Sequence, residues 1–413
     1  MKKFLTVIIM LLSISSFACA AKGGNAVERE PARNLSTSVD EFCWKYFATL
    51  NRKENIFYSP YGINSALSIL TNGASGDTLK EILNALSADN IENLNDEHKR
   101  FSALVAEKYR GDNIFMESNL LLIDKSVIGR GIDKNFKRVV SDVYNSDVRE
   151  ANFSGNVEGE KQKISRWVSY KTSGFITDYN SIVTDTTLTD LLNVVYFKGK
   201  WDMPFEAIST KTATFMNCDG SNSSVKMMNE VFEDAIKYHE DDKFKAIALP
   251  YSENAAMYLI MPVNDGDLNI AEEWNNESIA YRADFLNGLS TTGNFDGEVI
   301  VSLPKFELDI ENSLVENLKA IGIKKSFTGA AEFFNIINGT SLKIDSAKHR
   351  AKVKVDELGT EAAAITEIAL NKAYAPADEP PRRVYFIAKR PFLFVIRDVE
   401  SDITLFAGVV NKL

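Results

Sequence analysis

The chain has 413 residues, of which 45% are hydrophobic and 25% charged, an ordinary composition for a globular protein. Its net charge of −10 and its isoelectric point of about 5.1 argue against a general nucleic-acid or polyanion binder, because such proteins present a basic face. We therefore expect a folded, acidic protein with no nucleic-acid partner.

The first twenty residues differ from the rest of the chain. Two lysines precede an apolar run that ends at Leu12, and small residues follow. This order predicts a secretory signal peptide over residues 1–20, since the apolar run is too short to cross a bilayer. A flexible leader would follow over residues 21–34, and Cys19 offers the alternative of a lipid anchor. We therefore expect export, to the extracellular space or the periplasm.

The next part of the chain has helical periodicity. Residues 38–50 carry an apolar stripe at three- and four-residue spacing, with Cys43 inside it as a small core residue. Three further amphipathic stretches predict helices over residues 62–73, 77–86 and 93–111.

From about residue 190 the sequence favours β-strands, because apolar runs rich in β-branched and aromatic residues are bounded by Gly, Pro or Asn. One late helix is predicted over residues 313–323. No long linker or internal repeat divides the chain, so we expect a single α+β domain over residues 35–413. The predicted strand regions are residues 191–201, 246–251, 255–262, 298–310 and 383–410.

The sequence contains no recognisable catalytic or cofactor site. Its three histidines, His98, His239 and His349, are not at metal-ligand spacing with each other or with cysteine. A nucleophile elbow, a phosphate-binding loop and a complete dinucleotide fingerprint are also missing from the sequence. We therefore expect no enzyme activity, no cofactor and no metal. His98 and His239 lie among charged residues and are expected to be solvated.

Several sequence blocks resemble those of the serpins, the serine-protease-inhibitor superfamily. They are NIFYSPYGINSALSILTNGASGDT at 55–78, LNVVYFKGKWDMPF at 192–205, HRAKVKVDELGTEAAAIT at 349–366 and RPFLFVIRD at 390–398, in the order of the family. On these motifs the chain resembles an exported serpin of the bacterial type. The resemblance implies an α+β fold with three β-sheets, eight or nine helices and an exposed reactive loop, here at about residues 359–383.

The resemblance also implies an irreversible, suicide-type mechanism. In the family, a target protease attacks the reactive loop and forms an acyl-enzyme. The cleaved loop then inserts as a new central strand of the main sheet, and the attached protease is distorted before it can deacylate. Such a protein would inhibit serine endopeptidases, with cysteine endopeptidases as a further class. A non-inhibitory serpin acting as a binding or carrier protein is the alternative.

The residue alternation in the loop suits a strand with one buried face. From Thr360, one set of alternate residues carries no charge and begins with small side chains, whereas the other set contains Glu361 and Glu367. The same residues could also form a surface helix, because alanine and leucine favour helices. The resemblance assigns the hinge of the loop to Glu357, Gly359, Thr360, Glu361, Ala362, Ala363 and Ala364.

The family's usual spacing from Glu357 places the reactive bond at Ala373–Tyr374, which favours an elastase-like protease as the first choice of partner. The bond Lys372–Ala373 would instead suit a trypsin-like protease, because a buried acidic pocket binds lysine. Cleavage after Tyr374 would suit a chymotrypsin-like one. Prolines beyond this point prevent a regular helix and keep the segment accessible.

The resemblance implies a polar network, called the shutter, beneath the part of the main sheet that opens. Its members here would be Ser59, Asn193 and His349. Buried polar groups of this kind must be satisfied by mutual hydrogen bonds. The family often has a second serine where this chain has Gly62, so one hydroxyl would be missing.

A second implied set of residues, called the breach, lies at the top of the main sheet. Glu357 and Lys305 would form an ion pair there, with Trp201 nearby. Many members have Glu where this chain has Leu358.

The segment at residues 90–110, where some members bind polyanions, mixes acidic and basic residues, so we expect no polyanion cofactor. We also expect a monomeric protein.

Overall fold

The structure is a computed structural model that describes residues 34–129, 131–337, 340, 342–360 and 380–413. The predicted signal peptide and almost all of the leader lie outside the described residues. Residues 361–379 of the predicted reactive loop also lie outside them. This stretch includes Glu361, Ala362, Ala363 and Ala364 of the hinge, and Lys372, Ala373 and Tyr374 at the candidate bonds.

Ten α-helices occur in the described part of the chain. The side chain of Asn34 caps the first by accepting a hydrogen bond from the N–H of Thr37, and Ser59 caps the second in the same way. The five helices predicted from periodicity correspond to the first four and the tenth. None of the described helices has the length and apolar character needed to cross a membrane. The helices are α1 (Leu35–Phe47), α2 (Pro60–Thr71), α3 (Gly76–Ala85), α4 (Ile91–Lys108), α5 (Lys125–Ile128), α6 (Lys134–Tyr144), α7 (Phe153–Lys171), α8 (Ile270–Asn276), α9 (Ile279–Thr291) and α10 (Val315–Ala320).

Sixteen strands complete the regular structure of the described residues. They are β1 (Ile56–Tyr58), β2 (Ile114–Asp124), β3 (Asp147–Ala151), β4 (Thr189–Lys200), β5 (Lys211–Met216), β6 (Asn222–Glu233), β7 (Lys237–Glu240), β8 (Phe244–Pro250), β9 (Ala255–Pro262), β10 (Glu298–Pro304), β11 (Phe306–Ser313), β12 (Ser346–Asp356), β13 (Gly359–Thr360), β14 (Arg383–Ile387), β15 (Phe392–Asp398) and β16 (Thr404–Val410).

The strands form three sheets, as expected. Sheet A has the order β11-β12-β13-β4-β2-β3, sheet B the order β1-β16-β15-β9-β8-β7, and sheet C the order β14-β10-β6-β5. The α+β fold class with three sheets is therefore confirmed. The helices number ten in the described residues when the single turn α5 is counted.

Among the described residues, the pairing of sheet A changes at the junction of β4 and β12. These strands pair in parallel from Ser346 opposite Asp190 to Lys352 opposite Tyr196. Beyond these positions β13 lies between them and pairs antiparallel with both. We call the space between β4 and β12 that β13 occupies the hinge gap.

The core lies between sheets A and B and is filled largely by α2. All twelve residues of this helix are buried, and the helix packs against β4 on one side and β16 on the other. Strands β9, β15 and β16 are buried at every residue, which explains their continuous apolar sequences. The start of α2, with its capping Ser59, is thereby held beneath sheet A.

Candidate functional site

The hinge gap holds the first residues of the predicted reactive loop. Gly359 pairs with Asp356 of β12 and with Lys200 of β4, and Thr360 continues the same double pairing. Thr360 is fully buried, and its Oγ1 lies 2.7 Å from the hydroxyl of Tyr251. The loop therefore begins as a strand already built into sheet A.

Only glycine suits position 359. Its φ of +147° is rarely adopted by other residues, and a Cβ there would lie 2.1 Å from the carbonyl oxygen of Gly199. The backbone of the hinge can therefore approach β4 closely enough to pair with it.

Aromatic side chains line the hinge gap on its core side. Tyr251 stacks on Trp201 with ring centroids 4.4 Å apart and meets the edge of Phe197 at 5.0 Å. Trp201 also donates from its indole N–H to the carbonyl of Asp356 at 3.0 Å. Burial raises the pKa of Tyr251, so its hydroxyl keeps its proton for the contact with Thr360. Sequence reasoning placed Trp201 in this region but did not find Tyr251, which stands at the end of an unremarkable strand.

The predicted ion pair is present at the top of the gap. The Nζ of Lys305 lies 2.6 Å from the Oε2 of Glu357, while Thr210 donates its hydroxyl to the Oε1 at 2.8 Å. Burial alone would raise the pKa of Glu357, but the hydrogen bonds from Lys305, the backbone and Thr210 outweigh it and hold the pKa below its usual value. The carboxylate thus ties the first residue of the hinge to Lys305, which stands between β10 of sheet C and β11 of sheet A.

Replacing Lys305 by Met should lower the free energy of unfolding by about 1 kcal/mol, because the lysine side chain is 37% exposed and solvent screens the pair. Urea unfolding would measure the change. Lys319→Met, which removes an exposed ion pair on α10, is the matched control and should cost about 0.5 kcal/mol or less. Equal losses in the two variants would contradict a special role for the Lys305 pair.

The shutter residues meet where β12 and β4 pair directly with each other, six residues along β12 from Val355, the partner of Thr360. Ser59, Asn193 and His349 are all fully buried, and His349 lies opposite Asn193 in the pairing of β12 with β4. The Nε2 of His349 accepts from the backbone N–H of Ser59 at 2.9 Å. Its Nδ1 therefore carries the proton and donates to the Oδ1 of Asn193 at 2.6 Å. A neutral histidine thus joins the two strands that border the gap.

The network continues onto β2 through residues that sequence reasoning missed. The side-chain amide of Asn193 donates to the Oδ1 of Asn119 at 2.8 Å and to the Oε1 of Glu117 at 3.0 Å. Burial raises the pKa of Glu117 to about 8, although hydrogen bonds from Asn119 and Asn193 oppose the rise. One hydrogen-bonded chain therefore crosses β12, β4 and β2.

Comparison with known proteins identifies the family. A family model described as Serpin (serine protease inhibitor) matches residues 37–413. The chain is a serpin. It is 28% identical to Iripin-1 of Ixodes ricinus over all of both chains, and 30% identical to antithrombin-III of Homo sapiens over 91% of this chain and 81% of that protein. The crystal structure of Tengpin, a thermophilic serpin in the native state, shares the fold with a TM-score of 0.80 and 24% identity, covering 91% of this chain and 93% of Tengpin.

The glycine that replaces a second shutter serine in this serpin has a local cause. A Cβ at Gly62 would lie 2.5 Å from the Cγ2 of Val195 and 2.7 Å from the Oδ1 of Asn193. The N–H of Gly62 instead donates to the Oγ of Ser59 at 2.9 Å. The side chains of Val195 and Asn193 on β4 thus occupy the space that a serine side chain at position 62 would need.

One histidine prediction is wrong. His98 is fully buried in this serpin rather than solvated, because the side of α4 that carries it faces α2 and α6. Its Nε2 lies 3.1 Å from the Oγ of Ser68 and 3.1 Å from the Oδ1 of Asn64. Burial lowers its pKa to about 3. The charged neighbours in sequence occupy the opposite side of the helix. His239 is half-buried against Phe285.

Replacing His349 by Gln should change how stability depends on pH. Burial lowers the pKa of His349 to about 3, so its contribution is complete above the unfolded value of about 6.5 and is lost as pH falls toward 3. The free energy of unfolding of the wild type should exceed that of His349→Gln by about 2 kcal/mol less at pH 5 than at pH 7. Urea unfolding at both pH values measures it, and a difference that stays constant would contradict a neutral His349. Because the pKa of Glu117 is raised, its contribution to the free energy of unfolding grows as pH falls, in the wild type and in His349→Gln alike.

Ion pairs on the outer face of sheet A join β12 to β11. Both Nε and Nη2 of Arg350 lie 2.9 Å from the carboxylate of Asp309, and Lys352 lies 3.1 Å from Glu307. These pairs connect β12 to its outer neighbour and not to β4. If sheet A of the serpin parts, they favour a separation between β12 and β4.

Proposed function

We propose that this serpin is an irreversible inhibitor of serine endopeptidases, with cysteine endopeptidases as a further class of target. It traps the acyl-enzyme by inserting its cleaved reactive loop between β4 and β12. The observation that carries the proposal is β13, because the first two residues of the loop already pair with both of these strands. Membership of a family of serine protease inhibitors supports the proposal.

The register of β13 specifies where the rest of the loop would go. Thr360 lies opposite Val355 and Gly199, so continuing the antiparallel pairing by six residues would bring Thr366 between His349 and Asn193. The inserted hydroxyl would then stand where the two shutter side chains now meet. Their hydrogen bond must break when the sheet opens, and a threonine at this position offers both of them a new partner.

The same register assigns the two faces of the inserted strand. Thr360 faces the core, so Ala362 and Ala364 would follow it inward against buried residues of β12. Glu361 would face outward opposite Lys354 and Lys198. Small inward residues at the leading end would let the strand enter with little displacement of the core, and the outward glutamate would meet lysines.

Insertion requires β12 and β4 to part along their remaining contact. The direct pairing runs from Ser346 to Lys352 on β12, and the ion pairs of Arg350 and Lys352 would keep β12 attached to β11 during this movement. The hydrogen bonds lost between the two strands would be replaced on both sides of the inserted strand. The inserted state is therefore favoured once cleavage frees the loop.

The chemistry begins at the reactive bond, for which Ala373–Tyr374 is the first choice and Lys372–Ala373 the second. The serine hydroxyl of the protease attacks the carbonyl carbon of Ala373, the peptide bond breaks, and the amine of Tyr374 leaves with the proton. The ester that remains joins the protease to the inserting strand. An elastase-like protease is the first choice of partner and a trypsin-like one the second.

Export of the bacterial type belongs to the same proposal. The signal peptide over residues 1–20 would direct the inhibitor out of the cytoplasm, with Cys19 as the alternative point of lipid attachment. A monomer without metal, polyanion or other cofactor suffices for the mechanism. A non-inhibitory carrier is the second candidate, and the small residues of the hinge argue against it.

Mixing the purified protein with elastase-, trypsin- and chymotrypsin-like proteases tests the proposal. We expect an SDS-stable covalent complex with at least one of them, and mass spectrometry of the C-terminal peptide released on denaturation would identify the bond. Cleavage of the loop by every protease without any complex would refute inhibition and favour the carrier alternative.

A further inference from the structure

A buried lysine stands on the outer face of sheet A, next to His349 of the shutter. Lys348 on β12 is 5% exposed, and its ammonium pairs with the carboxylate of Glu311 on β11. The ring of Tyr179, in the connection between α7 and β4, covers this ammonium with its centroid 5.8 Å away. Because solvent hardly screens a charge in such a place, Lys348 depends strongly on the carboxylates around it.

A second carboxylate beside Lys348 belongs to the strand that must move away from it. Asp190 on β4 is 2% exposed and lies opposite Ser346, two residues from Lys348 along β12. Burial raises the pKa of Asp190 to about 6, and the charge of Lys348 opposes the rise. A strand inserted between β4 and β12 would separate them by about 4.8 Å more. Lys348 would then keep Glu311 and lose Asp190.

The neighbouring cations on β12 keep a carboxylate in the same movement. Arg350 pairs with Asp309 and Lys352 pairs with Glu307, and both of these carboxylates belong to β11. The ion pairs of β11 with β12 stay intact when β4 separates from β12. Lys348 is therefore the buried cation of this row for which insertion removes a nearby negative charge.

The loop sequence carries a carboxylate that matches this position. Glu367 lies outside the described residues, and the register of β13 specifies where it would arrive. Continuing the antiparallel pairing of Thr360 by seven residues would bring Glu367 between Lys348 and Leu192. Alternation along the strand would point it outward, to the face on which Lys348 lies. The loop residue two positions earlier, which would lie beside Arg350, is uncharged.

We propose that Lys348 is a positioning residue for the inserted strand, whose ammonium exchanges the carboxylate of Asp190 for that of Glu367 as the loop enters sheet A. This inference rests on the proposed inhibitory function and deepens it. The new ion pair lies beneath Tyr179, away from water, so it holds the inserted strand in the register that the hinge begins. A slip of one residue would turn the glutamate toward the core and leave Lys348 without it.

The test compares Glu367→Gln with the wild type in the intact protein and in protein cleaved within residues 372–375 without complex formation. Glu361→Gln is the matched control, because Glu361 would also face outward toward a lysine, Lys354, which is exposed. Lys348→Met and the double variant Lys348→Met/Glu367→Gln complete a double-mutant cycle. For each protein one measures the midpoint of unfolding in guanidinium chloride at pH 7, and for the cleaved proteins also at pH 3.

We expect the midpoint of cleaved Glu367→Gln to lie about 0.3 M below that of the cleaved wild type at pH 7, because a buried ion pair is broken. Cleaved Glu361→Gln should stay within about 0.1 M of the wild type, since solvent screens its pair. The loss in Glu367→Gln should shrink toward pH 3, where protonation of Glu367 removes the charge that stabilises the wild type. Adding Glu367→Gln to Lys348→Met should lower the midpoint by less than about 0.1 M.

A loss from Glu367→Gln that is the same with and without Lys348→Met, or no larger than that of Glu361→Gln, would overturn the exchange while leaving strand insertion intact. If cleavage does not raise the midpoint of the wild type at all, insertion fails and the proposed function fails with it. Should Lys348→Met not fold, the comparison of Glu367→Gln with Glu361→Gln at the two pH values decides the inference by itself.

Discussion

Replacing Thr360 by Arg is expected to convert the inhibitor into a substrate. Thr360 is fully buried in the hinge gap with its hydroxyl 2.7 Å from that of Tyr251. A guanidinium there would be a buried, unpaired charge costing several kcal/mol, so the hinge would leave the gap and later insertion would slow. Deacylation would then precede trapping. We expect the number of inhibitor molecules consumed per protease to rise at least about 10-fold, which titration of residual protease activity measures.

Thr360→Ser is the matched control for this prediction. Serine keeps the hydroxyl that faces Tyr251 and adds no bulk, so its stoichiometry should stay close to that of the wild type. Cleavage of Thr360→Arg should still occur at the same bond, since the substitution lies far from it in sequence. A Thr360→Arg variant that still forms the covalent complex one for one would contradict the part assigned to the hinge.

Cleavage of the reactive loop without complex formation is expected to stabilise the protein strongly. The inserted segment would gain hydrogen bonds to both β4 and β12 and would bury its uncharged face. A gain on the order of 10 kcal/mol would raise the melting temperature by about 10 °C or more for a chain of this size. Differential scanning calorimetry before and after limited proteolysis measures the change.

The same cleavage applied to Thr360→Arg supplies the control. Its inserted strand would have to bury the guanidinium, so the rise in melting temperature should be distinctly smaller than in the wild type. If cleavage leaves the melting temperature of the wild type unchanged, strand insertion is wrong and the non-inhibitory carrier function is favoured instead.

Much of the fold could be predicted from sequence because its periodicities are strong. The apolar stripe around Cys43 predicted α1, and the continuous apolar runs predicted β9, β15 and β16, which are buried on both faces. The three sheets themselves came from the resemblance to serpins. Local pattern does not specify which strands pair, since pairing depends on contacts between distant parts of the chain.

Other features needed the structure because their chemistry depends on tertiary context. Tyr251 has no charge and was given no role by the resemblance, and its importance arises only from its position against Thr360. Glu117 is one of 57 acidic residues, and burial alone distinguishes it. His98 was misplaced because charged neighbours in sequence lie on the other side of its helix. By contrast, His349 hydrogen-bonds to both of the other residues that the resemblance nominated for the shutter.

The central claim is that the cleaved loop becomes a strand between β4 and β12. Amide hydrogen exchange of residues 361–371, followed by mass spectrometry on intact and loop-cleaved protein, tests it most directly. A strand paired on both sides should exchange at least about a thousandfold more slowly after cleavage than before. Exchange in this segment that stays as fast after complete cleavage as before would contradict insertion.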